Sequence, residues 1–201
     1  MNLKYPPIET TATLSFIVCL TAFTSGSTAQ TRMAISEDYK SALEKHNAAA
    51  DTTTAQFYFE RGGIRQDHLD DAGAIVDCTK AIELKPDNPK AYYNRGLAKL
   101  NLKLLSKAIT DFDKALELNP KNADAYNNRG IAKQFLKKYK AAIDDYNAAI
   151  VINTTHAAAY NNRGISKIKM GQVNDGCEDL HRALQLGDKA SSVGIKKYCQ
   201  E

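Results

Sequence analysis

The hexapeptide AYYNRG at residues 91–96 returns as AYNNRG at 125–130 and again at 159–164, each copy 34 residues after the one before. One period upstream, Tyr58, Arg61 and Gly62 occupy the same places. Alanine columns recur downstream at the same spacing, such as Ala81, Ala115, Ala149 and Ala183. The chain is therefore predicted to contain four structural repeats, at residues 55–88, 89–122, 123–156 and 157–190.

The composition of the 201-residue chain favours helices and excludes several classes of protein. Hydrophobic residues make up 43% and charged residues 25%, which is ordinary for a folded protein and argues against a disordered one. The 11 glycines and 5 prolines offer little material for the many turns of an all-β fold. The net charge of +4 is small and dispersed, so no nucleic-acid partner is expected. No apolar run reaches the roughly 18 residues of a membrane-spanning helix.

Each repeat reads as a pair of helices. In the second repeat the two helical stretches are 89–102 and 105–118, and the recurring small residues let them approach closely. Pro86, Pro89 and Pro120 all lie at the joints between repeats, where a proline ends one helix or begins the next. One hairpin cannot bury its own apolar face, so the sequence predicts an all-α stack of hairpins.

The pattern resembles the tetratricopeptide repeat. In the second repeat the matching residues are Tyr92, Gly96, Ala108, Phe112, Ala115 and Pro120. The resemblance implies a right-handed superhelical solenoid of four helix-turn-helix repeats with flanking capping helices. Two positions depart from the family: an arginine such as Arg95 precedes each glycine, and a basic residue such as Lys99 replaces the second aromatic of the first helix.

In tetratricopeptide arrays the first helices line a concave groove. Successive helical residues are about 100° apart, which places Tyr93 and Leu97 on the face opposite Arg95. By resemblance, that face should line the groove and bind a peptide. The predicted peptide-binding residues are Tyr93, Asn94, Leu97, Asn127, Asn128, Ile131, Phe135, Asn161, Asn162 and Ile165.

The asparagines of this set carry the predicted chemistry. An amide side chain offers a donor and an acceptor, so a row of amides can hydrogen-bond the main chain of an extended peptide without demanding a sequence. The apolar members would supply pockets for apolar side chains. An equally good reading is that the asparagines tie neighbouring helices together, and both roles can hold at once.

Two charged columns are predicted to form structural ion pairs between the helices of each repeat. The arginine column turns toward the second-helix layer, where an aspartate column lies, and partly buried arginine pairs well with a carboxylate. The alternative is a basic surface that binds a ligand. The columns are Arg61, Arg95, Arg129 and Arg163, and Asp77, Asp111, Asp145 and Asp179.

The cysteines suggest one disulfide at the C-terminal end. If the chain folds back about Gly187, Cys177 faces residue 197, two residues from Cys199. A Cys177 to Cys199 bridge is therefore predicted, with buried free thiols as the alternative, while Cys78 reads as a small core residue. The four histidines share no column and form no metal-spaced cluster, so no metal or cofactor is expected.

The N-terminus reads as a signal peptide over residues 1–29. An apolar stretch at 14–23 is followed by a small-residue run that ends at Ala29, which predicts an exported protein, periplasmic or secreted. An uncleaved anchor or a disordered tail is the alternative. A leading helix beginning near Ser36 and a linker fill 30–54, and the end of a capping helix fills 191–201.

No glycine-rich phosphate loop or nucleophile motif is present, and the pentapeptide YNNRG, found at 126–130 and again at 160–164, points to structure rather than to an active site. The sequence therefore predicts a non-enzymatic scaffold that binds a polypeptide segment. A self-assembling or envelope-structural role is the alternative, and the oligomeric state is left open.

Overall fold

The computed structural model describes residues 28–49 and 51–199, which hold ten α-helices and no strand. The prediction of an all-α fold is confirmed. The helices are α1 (Thr28–Ala49), α2 (Ala55–Asp67), α3 (Asp71–Leu84), α4 (Pro89–Asn101), α5 (Leu105–Leu118), α6 (Ala123–Phe135), α7 (Tyr139–Ile152), α8 (Ala157–Lys169), α9 (Val173–Gln185) and α10 (Ser191–Tyr198).

The chain divides after Lys45 into two units. The described part of the first unit is the body of α1, which begins at Thr28 rather than near Ser36 because no proline or glycine in residues 28–35 stops the helix. In the second unit His46 stacks on Phe57 with ring centroids 4.8 Å apart. Of the predicted signal segment, residues 1–27 lie outside the described residues. The capping role of α1 stays a prediction.

The second unit is a solenoid of helical hairpins. The helices pair as α2 with α3, α4 with α5, α6 with α7 and α8 with α9, and each hairpin packs on the next. Polar side chains cap the N-termini of the first helices. Asn122 Oδ1, for example, accepts a hydrogen bond of 3.0 Å from the Ala125 amide. The turn inside each hairpin has one residue with positive φ, namely Leu69, Lys103, Lys137 or Gly171.

A glycine in each first helix lets a large side chain of the second helix lie against the backbone. A Cβ added at Gly96 would lie 2.9 Å from the Phe112 ring, and one at Gly130 would lie 2.6 Å from the Tyr146 ring. In the first repeat Cys78 takes the place of the ring, where burial raises the pKa of its thiol to about 12. The core is therefore a row of such contacts, one in each hairpin.

The C-terminal end of the solenoid is closed by a disulfide. Cys177 of α9 is bonded to Cys199, with Cα atoms 5.6 Å apart across 22 residues of sequence. Between them Gly187 takes a positive φ of 97° where α9 ends, and α10 returns onto α8 and α9. The bridge thus holds the last helix against the last hairpin.

Replacing Cys177 and Cys199 with serine is expected to lower the free energy of unfolding by about 3 kcal/mol, because the bridge restricts the unfolded chain over a loop of this length. Urea unfolding followed by circular dichroism measures the change. Reductant should reproduce the loss in the native chain and have no effect on the double variant. Equal urea midpoints for the two proteins would contradict the prediction.

Candidate functional site

The predicted peptide-binding residues lie on the first helices α4, α6 and α8, which stack side by side. We call the surface formed by Tyr93, Asn94, Leu97 and their equivalents in the next two repeats the first-helix face. Its members are Tyr93, Asn94, Leu97, Asn127, Asn128, Ile131, Asn161, Asn162 and Ile165. Leu97, Ile131 and Ile165 are half-buried and recur once per repeat. The face therefore offers one partly exposed aliphatic side chain on each helix.

Three asparagines of this face hold neighbouring repeats together. Asn128 Nδ2 donates to the Tyr93 hydroxyl at 3.0 Å, and Asn162 Nδ2 donates to Asn127 Oδ1 at 3.0 Å. All three amides are at most 4% exposed. Burial also raises the pKa of Tyr93, so its hydroxyl stays protonated. These hydrogen bonds link neighbouring helices, which is one of the two roles that the sequence allows for the asparagines.

Side-chain amides without a hydrogen-bond partner lie at both ends of the face. The Asn94 side chain is half-buried and has no hydrogen-bond partner within residues 51–199, although its carbonyl accepts a bond of 2.9 Å from Gln66 Nε2. The Asn161 side chain likewise has no partner in that part of the chain. The buried Oδ1 of Asn162 accepts no hydrogen bond there either. The Asn162 oxygen is too buried to meet a ligand, so the amides of Asn94 and Asn161 are the groups of this set that flank the aliphatic row.

Gln134 is a polar contact that sequence reasoning missed. Its Oε1 accepts hydrogen bonds from the Tyr146 hydroxyl at 2.7 Å and from Ser166 Oγ at 3.2 Å, so it joins α6 to α7 and to α8. A signal was available, because Gln66 occupies the same column two repeats earlier and also bonds to the first helix of the next repeat. Phe135, the following residue, lies at the end of α6 and is 41% exposed.

The arginine and aspartate columns meet in every repeat. In the second repeat Arg95 Nε and Nη2 donate to the two carboxylate oxygens of Asp111 at 3.0 and 2.8 Å. The equivalent bidentate pairs are Arg61 with Asp77, Arg129 with Asp145 and Arg163 with Asp179. All four carboxylates are buried. Such paired geometry is what stabilises a buried charge.

A second cation reaches each of these carboxylates. Lys99 Nζ lies 2.6 Å from Asp111 Oδ2, one helical turn after Arg95. Arg65, Lys133 and Lys167 make the equivalent contacts at 3.2, 2.7 and 2.8 Å. At these positions the tetratricopeptide-repeat pattern has an aromatic residue. Each basic residue here follows a column arginine by four positions, so the sequence already placed both cations on the same face of the helix. The departure replaces an aromatic contact with an ion pair.

Each later arginine also bonds to the preceding repeat. Arg95 Nη1 donates to Thr79 Oγ1 at 3.1 Å, and Arg129 Nη1 donates to Asp113 Oδ1 at 2.6 Å. Arg163 Nη1 makes the same bond to Asn147 Oδ1 at 2.7 Å. Because all three nitrogens of these guanidinium groups are engaged within the solenoid, they do not form the ligand-binding basic surface considered as an alternative.

Neither a metal centre nor a membrane-spanning helix is found within residues 28–49 and 51–199. That part of the chain contains no group of three or more His, Cys, Asp or Glu side chains placed to hold a metal ion. None of its helices is long and apolar enough to cross a bilayer.

The sequence profile of the tetratricopeptide repeat matches residues 89–122 and 123–156, and a second profile described as a TPR repeat matches 70–103. Two of these ranges are the second and third predicted repeats. No curated protein matches the chain significantly.

Solved structures share the fold. MamA is 23% identical with a TM-score of 0.66, over 81% of this chain and 94% of MamA. YrrB, described as a TPR protein with an unusual peptide-binding site, is 20% identical with a TM-score of 0.68, over 83% of this chain and 88% of YrrB. The first TPR of Spaghetti (RPAP3), bound to the HSP90 peptide SRMEEVD, is 27% identical with a TM-score of 0.58, over 61% of this chain and 97% of that domain. Residues 70–156 therefore match tetratricopeptide-repeat profiles, and the solenoid shares its fold with these tetratricopeptide-repeat structures.

Proposed function

We propose that this protein is a non-enzymatic interaction scaffold that binds an extended polypeptide segment along the first-helix face. The observation that carries the proposal is the row of half-buried Leu97, Ile131 and Ile165, one per stacked helix, with the unpartnered amides of Asn94 and Asn161 beside it. Aliphatic anchors with a few polar groups are what peptide-binding surfaces use. The first TPR of Spaghetti binds a peptide on the same fold, which supports the proposal.

The spacing of the row limits the conformation of the ligand. Packed helices lie about 8–10 Å apart, so successive aliphatic side chains of the face have roughly that separation. A polyproline II segment has three residues per turn and rises about 3.1 Å per residue, which returns its side chains to one face about every 9 Å. The preferred ligand is therefore an extended segment with an apolar residue at every third position.

The charges beside the face favour a ligand of low net charge. Lys90 and Lys169 are exposed at opposite ends, and Asp124 lies between them, 3.2 Å from His156 Nε2. Charges of both signs therefore lie beside the face, and its net charge is small. An acidic peptide gains little here, and apolar contacts with amide hydrogen bonds supply the affinity.

Export is part of the proposal. The apolar stretch at 14–23 and the small residues up to Ala29 have the pattern of a signal peptide. The bond between Cys177 and Cys199 supports an oxidising compartment, because disulfides persist there and are reduced in the cytosol. The ligand would then be a segment of another exported or envelope protein.

The test is selection of 12-residue peptides from a random display library on the full chain, followed by calorimetry with the selected peptides. Ile131→Asp should abolish binding, because it places a charge in the middle of the aliphatic row. Val151→Asp is the control for the added charge, since Val151 is an aliphatic residue that is exposed on the second helix α7, whereas Ile131 is half-buried on the first-helix face. Binding that survives Ile131→Asp at unchanged helicity would overturn the proposal.

A second pair of variants separates the two roles of the asparagines. Asn94→Ala with Asn161→Ala should weaken peptide binding about fivefold for each lost hydrogen bond and leave the melting temperature unchanged. Asn128→Ala with Asn162→Ala should instead lower the melting temperature, because it breaks ties between repeats. If no peptide is selected and light scattering shows an oligomer that Ile131→Asp dissociates, the self-assembling alternative takes its place.

A further inference from the structure

The loops that join the two helices of the second, third and fourth hairpins form a surface that the peptide-binding proposal does not use. We call residues 102–107, 135–140 and 169–173 the turn edge. It exposes five large apolar side chains, each between 41% and 46% accessible, namely Leu102, Leu104, Phe135, Met170 and Val173. Soluble proteins rarely cluster exposed side chains of this size unless the surface meets an apolar partner.

The three loops are adjacent in space. Lys103 Nζ lies 4.2 Å from the centre of the Phe135 ring, which brings the second loop onto the third. Met170 lines a shallow depression together with residues 137–141, which brings the third loop onto the fourth. The apolar side chains therefore belong to one continuous edge and not to three isolated tips.

The same edge is strongly basic. Its exposed lysines are Lys103, Lys107, Lys137, Lys138, Lys140 and Lys169, and the three ranges contain no acidic residue. None of the six makes an ion pair within residues 28–49 and 51–199, in contrast to Lys99, Lys133 and Lys167, which are bound to the aspartate column. A net charge of only +4 over the whole chain is thus locally concentrated, which the sequence reading of a dispersed charge did not anticipate.

We propose that the turn edge docks on an anionic membrane surface. Apolar side chains of this edge would enter the boundary of the bilayer, and the lysines would contact lipid headgroups while their stems cover apolar surface. Each lysine near an anionic leaflet adds to the attraction, and several together are needed for stable peripheral binding.

A membrane explains the combination better than an acidic polymer does. A nucleic acid would pair with the lysines, but single-stranded bases stack on aromatic faces, and Phe135 is the only aromatic among the five exposed apolar side chains of the edge. An acidic polypeptide would neutralise the charge and leave five apolar side chains without a role. The hairpin turn of the first repeat is excluded from the edge because it carries Asp67, Asp70 and Asp71.

The experiment is sedimentation of the full chain with vesicles of phosphatidylglycerol and phosphatidylcholine, compared with vesicles of phosphatidylcholine alone. Reversal of Lys137, Lys138 and Lys140 to glutamate should weaken binding to the anionic vesicles about 100-fold. The matched control reverses Lys85, Lys121 and Lys189, which are exposed in the loops after α3, α5 and α9 and change the net charge equally. The control variant should keep most of the binding.

A fluorescent reporter distinguishes insertion from charge pairing. The chain contains no tryptophan, so Phe135→Trp introduces a single reporter on the turn edge and Val151→Trp introduces one on α7. On anionic vesicles the emission should shift to the blue at position 135 and stay unchanged at position 151. Binding that both triple variants lose equally, or that neither loses, would overturn the proposal, and so would binding to polyglutamate or DNA without binding to vesicles.

Discussion

Replacing Asp111 with asparagine is expected to lower the free energy of unfolding by about 3–5 kcal/mol, a large part of the stability of an ordinary domain. The carboxylate is 3% exposed and holds both Arg95 and Lys99. An amide keeps the size of the side chain but removes the negative charge, so two cations are left without a counter-charge in a poorly solvated position. Urea unfolding followed by circular dichroism measures the loss.

Asp113→Asn is the matched control, two residues further along the same helix. Asp113 also bonds to an arginine, Arg129, at 2.6 Å, but its side chain is 55% exposed. Water screens that pair, so its loss should cost less than about 1 kcal/mol. Equal costs for the two variants would show that burial of the carboxylate does not govern the stability of these pairs.

Truncation of Tyr146 to alanine should destabilise the solenoid by about 3–5 kcal/mol. The ring is fully buried, lies against the backbone at Gly130 and fills the third hairpin. Its removal leaves a cavity that the rigid helices around it can close only in part. Thermal unfolding and urea titration should agree on the loss, since both report the same packing.

Tyr146→Phe separates packing from hydrogen bonding at the same position. The ring remains, while the bond of 2.7 Å from the hydroxyl to Gln134 is lost, which should cost about 1 kcal/mol. Gln134 keeps its bond from Ser166, and Phe112 already occupies this column in the second hairpin. A phenylalanine variant as unstable as the alanine variant would mean that the hydrogen bond, and not the ring, stabilises this hairpin.

The repeat architecture could be predicted from the sequence because its signals are periodic. Helices predicted at 89–102 and 105–118 are found at Pro89–Asn101 and Leu105–Leu118. The tyrosine, arginine and glycine columns recur in all four repeats, so each copy gives the same evidence. The start of α1 was misjudged because a single Ser36 looked like an N-cap, with no second copy against which to compare it.

The site was harder to predict because helical angle tells which face a side chain lies on but not how many partners compete for it. Angle alone placed Asn127 and Asn128 on the peptide-binding face. In the structure Asn128 bonds to Tyr93 of the preceding repeat and Asn127 accepts a bond from Asn162 of the following repeat, so their amides are already engaged. The basic turn edge was missed for a related reason. Lysines scattered along the sequence come together only when hairpins stack in register.

The Nη1 atom of each later arginine links its own repeat to the preceding repeat. Arg95, Arg129 and Arg163 each bond to a side chain 16 residues earlier, in the preceding repeat, and to an aspartate 16 residues later in their own. The acceptor in the earlier repeat differs each time, being a hydroxyl, a carboxylate or an amide. The arginine donor therefore links neighbouring repeats whichever of these side chains accepts its hydrogen bond. A 34-residue repeat can be duplicated or exchanged without a new set of residues at the interface between repeats.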